Sequence, residues 1–294
     1  MGEMIDATAF VDADGSVVST GAAGPIPWWS FTKTALAIAV VRLWELGKLD
    51  LDGAVQGKSY TYAQLLRHEA GLPDYGSLRE YHDDVKAGAI PWPVDVLHSK
   101  LSVDQLRYEP GTDWSYSNVG YHEVAQLIQQ ASDLPLADAL SMLVLSPAGL
   151  TTTRLALTPT DLEAVEMGCV ADYHPGWVYH GLLVGSIIDA ASLLYRLLDE
   201  SVFGPRLLSR MLELRSLPQF RSELHRDPAY GLGLMLTATN PQVHPIGHSG
   251  AGPGSQIAVY GQNGQACAVW APTTSKIVPE AVVFRRLSGA HHEI

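Results

Sequence analysis

At 294 residues, 47% hydrophobic and 17% charged, the chain can bury a large core and is too apolar to be intrinsically disordered. Its net charge of −12 at pH 7 argues against nucleic acid or an anionic membrane as a partner. Two cysteines, Cys169 and Cys267, exclude a disulfide framework and lack metal-site spacing, so both read as small core residues.

Glu3, Asp6, Asp12 and Asp14 occupy the first residues with no basic run, so no secretion signal is expected. The longest apolar run, Ala35–Val41, is far too short to cross a bilayer, and the default location is the cytoplasm. Residues 5–21 read as a hairpin, with Asp12-Ala13-Asp14-Gly15 as its turn. The run Thr34–Leu46 follows Pro25 and Pro27 and ends at Gly47. Within it Ala35, Ile38, Ala39, Arg42, Leu43 and Leu46 recur at the spacing of one helix face. Thr61 caps a short helix over Tyr62–His68 that Gly71 and Pro73 close. Residues 74–93 read as a long loop with short helical pieces, a usual place for substrate contacts.

Helices are expected over Val94–Leu106, Val119–Ala131 and Leu136–Leu145, with Tyr116-Ser117-Asn118 on a loop before the second. Residues 151–180 hold strand-like pieces, and Asp189–Leu198 and Pro205–Leu214 read as helices. Strands begin at Tyr230–Leu236 and continue through Gln256–Tyr260 and Ala266–Ala271, the last two joined by Gly261-Gln262-Asn263-Gly264. Ile277–Leu287 reads as a closing helix. No repeat or low-complexity tract interrupts the chain. Strands at both ends and helices between predict an α+β fold, with an antiparallel sheet assembled from the two termini and an inserted helical lobe.

Ser30 and Lys33 lie three apart at the start of the apolar helix, so they share a face. A serine needs a base beside it to act as a nucleophile, and a lysine packed among Trp28, Trp29 and apolar residues could lose its proton through desolvation. Taken singly, Tyr116 reads as a half-buried core tyrosine, Asn118 as a cap for the helix after it, and His248 as a paired polar residue at a strand end. His68 reads as structural. His291 and His292 are a tail pair, and no E-x-x-H or C-x-x-C spacing occurs, so neither metal nor other cofactor is expected.

Together, however, Ser30-Phe31-Thr32-Lys33, Tyr116-Ser117-Asn118 and His248-Ser249-Gly250 stand in the order S-x-x-K, Y-x-N and K/H-[ST]-G. Gly47-Lys48-Leu49-Asp50-Leu51-Asp52, Leu65–Pro73 and Glu109-Pro110-Gly111-Thr112 match connecting stretches of the same pattern. Over roughly residues 25–270 the chain thus resembles the serine β-lactamase and penicillin-binding-protein superfamily, in its class C-like esterase and D-aminopeptidase branch. The resemblance implies one domain of two lobes, an α/β lobe from residues 1–55 and 165–294 and a mostly helical lobe from 56–164. It implies that Ser30 attacks a carbonyl and forms an acyl-enzyme, that Tyr116 takes the serine proton as a phenolate, and that Lys33 supports that phenolate. Asn118 would hold Lys33 and donate to the substrate. His248, Ser249, Gly250 and Ala251 would bind substrate, with the N–H groups of Ser30 and Ala251 around the oxyanion. The partner would be a small-molecule ester or amide; an oligomer is compatible with this reading.

Two departures bear on the substrate. Histidine stands at position 248 where β-lactamases and penicillin-binding proteins carry lysine. A partly charged imidazole would hold a substrate carboxylate less firmly, which favours esterase, amidase or peptidase work over β-lactam hydrolysis. Only 29 residues precede Ser30 and the loops are short, so the cleft is expected to be open or completed by a second subunit. The alternatives are a true β-lactamase, an acyltransferase on the same site, or a non-catalytic binding module. An α/β-hydrolase is disfavoured. Gly247-His248-Ser249-Gly250-Ala251 only approaches G-x-S-x-G, and Gly252-Pro253-Gly254 breaks the helix that would have to follow.

Overall fold

The computed structural model describes residues 7–289, except Ala23, Ala171 and the side chain of Gln242. The tail histidines 291 and 292 and the first residues of the chain lie outside that range.

In chain order the strands are β1 (Ala7–Val11), β2 (Val17–Gly21), β3 (Ile26–Pro27), β4 (Arg154–Ala156), β5 (Leu182–Gly185), β6 (Arg215–Ser216), β7 (Pro228–Tyr230), β8 (Met235–Thr237), β9 (Ile246–Gly252), β10 (Ser255–Gln262) and β11 (Gln265–Pro272). The helices are α1 (Thr32–Glu45), α2 (Tyr62–Leu66), α3 (Arg79–Lys86), α4 (Val94–Leu101), α5 (Asn118–Ser132), α6 (Leu136–Leu140), α7 (Ile187–Leu198), α8 (Gly204–Met211) and α9 (Pro279–Leu287). Eight strands form one antiparallel sheet in the order β2-β1-β11-β10-β9-β8-β7-β6. The N-terminal hairpin is thereby zipped onto the last strand, with Ala9 opposite Ala268. A second sheet, β3-β5-β4, lies beside the first turn of α1.

Side chains of β10 alternate between two cores. Ile257 and Val259 join the main core, whereas Ala258 and Tyr260 join Val283 and Leu287 of α9 on the other face. The register carries this alternation onto β9: His248 opposes Val259, Ser249 opposes Ala258 and Gly250 opposes Ile257. His248 and Gly250 therefore face the main core, and Ser249 faces α9.

The spacing predicted one buried face for α1. Instead every residue from Thr32 to Val41 is buried. The helix runs through the middle of the molecule, packed by α5 on one side and α8 on another. Its polar side chains are satisfied locally: Thr34 Oγ1 donates to Gly233 O at 2.8 Å, and Thr32 Oγ1 accepts from Leu183 N–H at 3.2 Å. Gly233, at φ +70°, permits this closeness, since a Cβ there would stand 2.5 Å from that of Ala37.

Other elements shift for local reasons. Thr61 and Gln64 form the reciprocal cap that starts α2. Helix α4 stops at Leu101 because Ser102 turns left-handed at φ 51°, short of the expected Leu106. Ser117, rather than Asn118, caps α5, accepting from Gly120 N–H at 2.9 Å. The stretch 230–236 divides into β7 and β8 around Gly231 to Leu234, and β5 was not anticipated. Cys267 is buried as expected, but Cys169 is exposed, its sulfur 3.1 Å from Thr273 Oγ1. Among the described residues no helix is long and apolar enough to cross a membrane.

Candidate active site

Ser30 sits in a tight 3-10 turn, Trp29–Phe31, immediately before α1. Trp29 is held at φ 44°, a left-handed conformation that a bulky residue adopts only when its surroundings impose it. Its indole N–H donates to Ser255 Oγ at 3.1 Å. Trp28 N–H bonds Leu183 O of β5 at 2.9 Å, which fixes the other side of the turn. Strand β9 passes directly against it: a Cβ on Gly250 would lie 2.7 Å from Ser30 N and 2.8 Å from Trp28 O. Only glycine allows that approach.

Lys33 follows one turn along and is wholly buried. Its Nζ lies 3.2 Å from Ser30 Oγ, 2.7 Å from Asn118 Oδ1 and 3.2 Å from His180 Nε2. Desolvation brings its ammonium down to about 7, against an opposing pull from the Asp74 carboxylate. A substantial share of this lysine is therefore free amine at neutral pH. Tyr116 O–H donates to Ser30 Oγ at 3.0 Å, and Lys33 Nζ lies 5.0 Å from the centre of its ring. Burial pushes the Tyr116 phenol above its ordinary range, although the bond to Ser30 works the other way. Desolvation thus opposes the phenolate that the resemblance implies at Tyr116, and its cationic support, Lys33, is itself easily deprotonated.

The Tyr116–Asn118 loop is positioned by two groups beneath it. Asp74 accepts Asn118 N–H at 2.8 Å. His68, at φ 61°, accepts Ser117 N–H on Nδ1 at 3.1 Å and lays its ring 4.3 Å from that of Tyr116. Burial, with the Lys33 charge adding to it, keeps this imidazole neutral.

On β9 the expected residues part company. His248 is fully buried in the main core, with Tyr230 OH 2.8 Å from its Nε2. Burial, reinforced by Lys33, lowers it to about 3, so at neutral pH it is uncharged rather than partly charged as expected. The Ser249 hydroxyl does not face the cleft. It bonds Glu280 of α9, which also accepts from Tyr260 O–H at 2.8 Å. Burial alone would raise Glu280, but hydrogen bonds from His225, Ser249 and Tyr260 outweigh it and bring the carboxyl to about 2. Any part Ser249 plays toward a ligand would have to come from its backbone. Gly250 lies under Ser30, and Ala251 lines the cleft beside it.

The cleft has a volume of about 410 Å³ and is walled by Trp29, Tyr75, Tyr81 and Tyr173, with Ser30, Asn118 and His180 also on its lining. No lysine or arginine is among its lining residues. Among the described residues no cluster of three or more His, Cys, Asp or Glu side chains could hold a metal ion. Reading the sequence missed Asp74 and His180. Nothing local marks Asp74. His180-Gly181 ahead of the apolar run Leu182–Val184 was the available sign of a histidine at the mouth of a buried strand.

Comparison with known proteins follows the same outline. The family model described as Beta-lactamase matches residues 9–288. Penicillin-binding protein 4* of Bacillus subtilis (strain 168) is 27% identical over 251 residues, covering 76% of this chain. The chain spans only 55% of that relative's length. Among solved structures, a D-stereospecific amidohydrolase from Streptomyces sp. superposes with a TM-score of 0.77 at 18% identity, covering 99% of this chain and 96% of the other. An octameric penicillin-binding protein homologue from Pyrococcus abyssi gives 0.79 at 19% identity, covering 97% and 73%. The D-amino acid amidase of Ochrobactrum anthropi SV3 gives 0.71 at 21% identity, covering 90% and 88%. At these identities the likeness speaks to the fold.

Proposed function

The chain belongs to the beta-lactamase family, and from that premise we propose that it is a serine hydrolase that forms an acyl-enzyme on Ser30 from a small ester or amide and passes the acyl group to water. The reading rests on the Ser30 hydroxyl lying within hydrogen-bond reach of both the Lys33 amine and the Tyr116 phenol, on the lining of a cleft.

Lys33 as free amine accepts the Ser30 proton while Oγ bonds to the carbonyl carbon and the π pair moves onto the carbonyl oxygen. The amide NH₂ of Asn118, whose carbonyl is taken by Lys33, holds the substrate. The N–H groups of Ser30 and Ala251 receive the oxyanion, a contribution worth about 3 kcal/mol per donor in other enzymes. As the carbon–heteroatom bond breaks, the phenol of Tyr116 gives its proton to the departing group and is reprotonated from the Lys33 ammonium. Water then repeats the sequence in reverse on the acyl-enzyme.

The wall chemistry supports an apolar or aromatic acyl group without a carboxylate. His248 is neutral, and the cleft lining holds no lysine or arginine to replace it. The amidase and amidohydrolase relatives in fold support D-configured amides as the first compounds to try. The octameric homologue makes assembly worth measuring.

Labelling with a fluorophosphonate and turnover of p-nitrophenyl acetate test the reading. Wild type should label at Ser30, and Ser30→Ala should not. Ester turnover should fall about a thousandfold or more in Ser30→Ala, Lys33→Ala and Tyr116→Phe, as groups acting as one unit do. An unlabelled, inactive wild type would favour a binding module instead. Products that carry added alcohol or amine would favour acyl transfer.

A further inference from the structure

We propose that His180 is a positioning residue which, by accepting a hydrogen bond on Nε2, aims the lone pair of Lys33 at the Ser30 hydroxyl. The inference builds on the reading of Ser30 as nucleophile and Lys33 as its base.

A neutral amine has two N–H donors and one lone pair. Lys33 Nζ has three polar neighbours: Asn118 Oδ1 at 2.7 Å, His180 Nε2 at 3.2 Å and Ser30 Oγ at 3.2 Å. The Asn118 carbonyl oxygen can only accept. If His180 Nε2 also accepts, both N–H donors are used and the lone pair is left for Ser30. The chain then runs head to tail, from Tyr116 O–H to Ser30 Oγ and from Ser30 O–H to Lys33 Nζ. If His180 instead carried its proton on Nε2, it would occupy that lone pair, and the amine could not act as base.

The later steps require the same choice. Once Lys33 has taken the serine proton it is an ammonium with three N–H donors and no lone pair. An Nε2–H would then point hydrogen at hydrogen inside a buried site. One tautomer, with the proton on Nδ1, serves both states of Lys33 without rearrangement. Nothing else among the described residues competes for the ring: its Nδ1 has no partner, and the residue is 2% exposed. Burial, with Lys33 next in weight, keeps the imidazole well below its ordinary range and hence neutral. The other groups facing Lys33 are Asp74, Tyr116, Tyr121, His68 and His248. None of these is placed as a hydrogen-bond acceptor on Nζ among the described residues.

Two measurements test the inference. Long-range ¹H–¹⁵N correlation on histidine-labelled wild type, with the His180 signals assigned through His180→Gln, should show a neutral ring protonated on Nδ1. A ring protonated on Nε2, or a cationic one, overturns the inference whatever the variants do. In kinetics with p-nitrophenyl esters, His180→Leu should lower kcat about tenfold or more with KM changed less than threefold. Its acid limb should also move to lower pH, since the ammonium loses an acceptor. His180→Gln, whose carbonyl oxygen can take the place of Nε2, should regain most of kcat and restore the limb. Equal losses in the two folded variants with an unmoved limb would mean only packing, and would refute the role. Fluorophosphonate labelling of Ser30 in parallel separates failure of the nucleophile reading from failure of this one.

Discussion

The carbonyl oxygen of Asn118 lies 2.7 Å from the amine of Lys33, which turns the amide NH₂ of Asn118 toward Gly76 and the cleft. One side chain thus orients the base on one edge and presents a donor to a ligand on the other. It can do so because Ser117 supplies the cap of α5, leaving Asn118 free.

Asn118→Asp should separate those two roles. A carboxylate against Lys33 favours the ammonium, so the acid limb of kcat/KM should lie roughly one unit or more above that of wild type. A pH–rate profile checks this. An unmoved limb would mean that Lys33 is not the group being titrated.

Lys33→Met should abolish activity yet stabilise the fold. Lys33 is lowered to about 7 in the folded protein and is ordinary when unfolded, so between those values the unfolded chain binds the extra proton. Stability of the wild type should therefore rise with pH above 7, and the cost of burying the charge is fully felt below it. Thermal melts should show the variant ahead by about 5 °C at pH 7, with the gap closing toward pH 10. A variant that melts lower at pH 7 would contradict the buried free amine.

Gly250→Ala tests how closely β9 must approach the nucleophile. A methyl group 2.7 Å from Ser30 N cannot be accommodated without moving the turn or the strand. Ester turnover should drop about a hundredfold, near the loss of one oxyanion donor. Circular dichroism should still report the native fold. Activity within twofold of wild type would show that the strand has slack.

Substrates bearing a carboxylate should be poor. With His248 neutral and no lysine or arginine on the wall, nitrocefin should turn over at least about a hundredfold more slowly than a matched p-nitrophenyl ester. Replacing the carboxylate of a test ester by a neutral group should improve KM. Rapid nitrocefin hydrolysis would contradict this.

Glu280→Gln probes the back of β9. Glu280 is brought to about 2 in the folded state, so its contribution is full above its ordinary value near 4.5 and is lost as pH falls toward 2. Melting temperatures of variant and wild type should differ at pH 7 and converge in acid. A constant difference across that range would mean that the carboxylate's ionisation is not what the network uses.

Much of this protein was legible in its residues. Ser30, Lys33, Tyr116, Asn118 and Gly250 lie within motifs whose order marks the family. The hairpin at the N-terminus, the capped helix after Thr61 and the paired strands around Gly261–Gly264 follow from local turn and capping chemistry. Such features depend on neighbours in sequence, so the sequence suffices for them. The tertiary structure decided what depends on distant neighbours. Burial on every side set the proton affinity of Lys33, and enclosure in the main core made His248 neutral. The register of β9 on β10 turned Ser249 toward Glu280. The loop before β5 carried His180 across 147 positions of sequence to the lysine amine. Desolvation and strand facing are properties of what packs around a residue, and no motif encodes them.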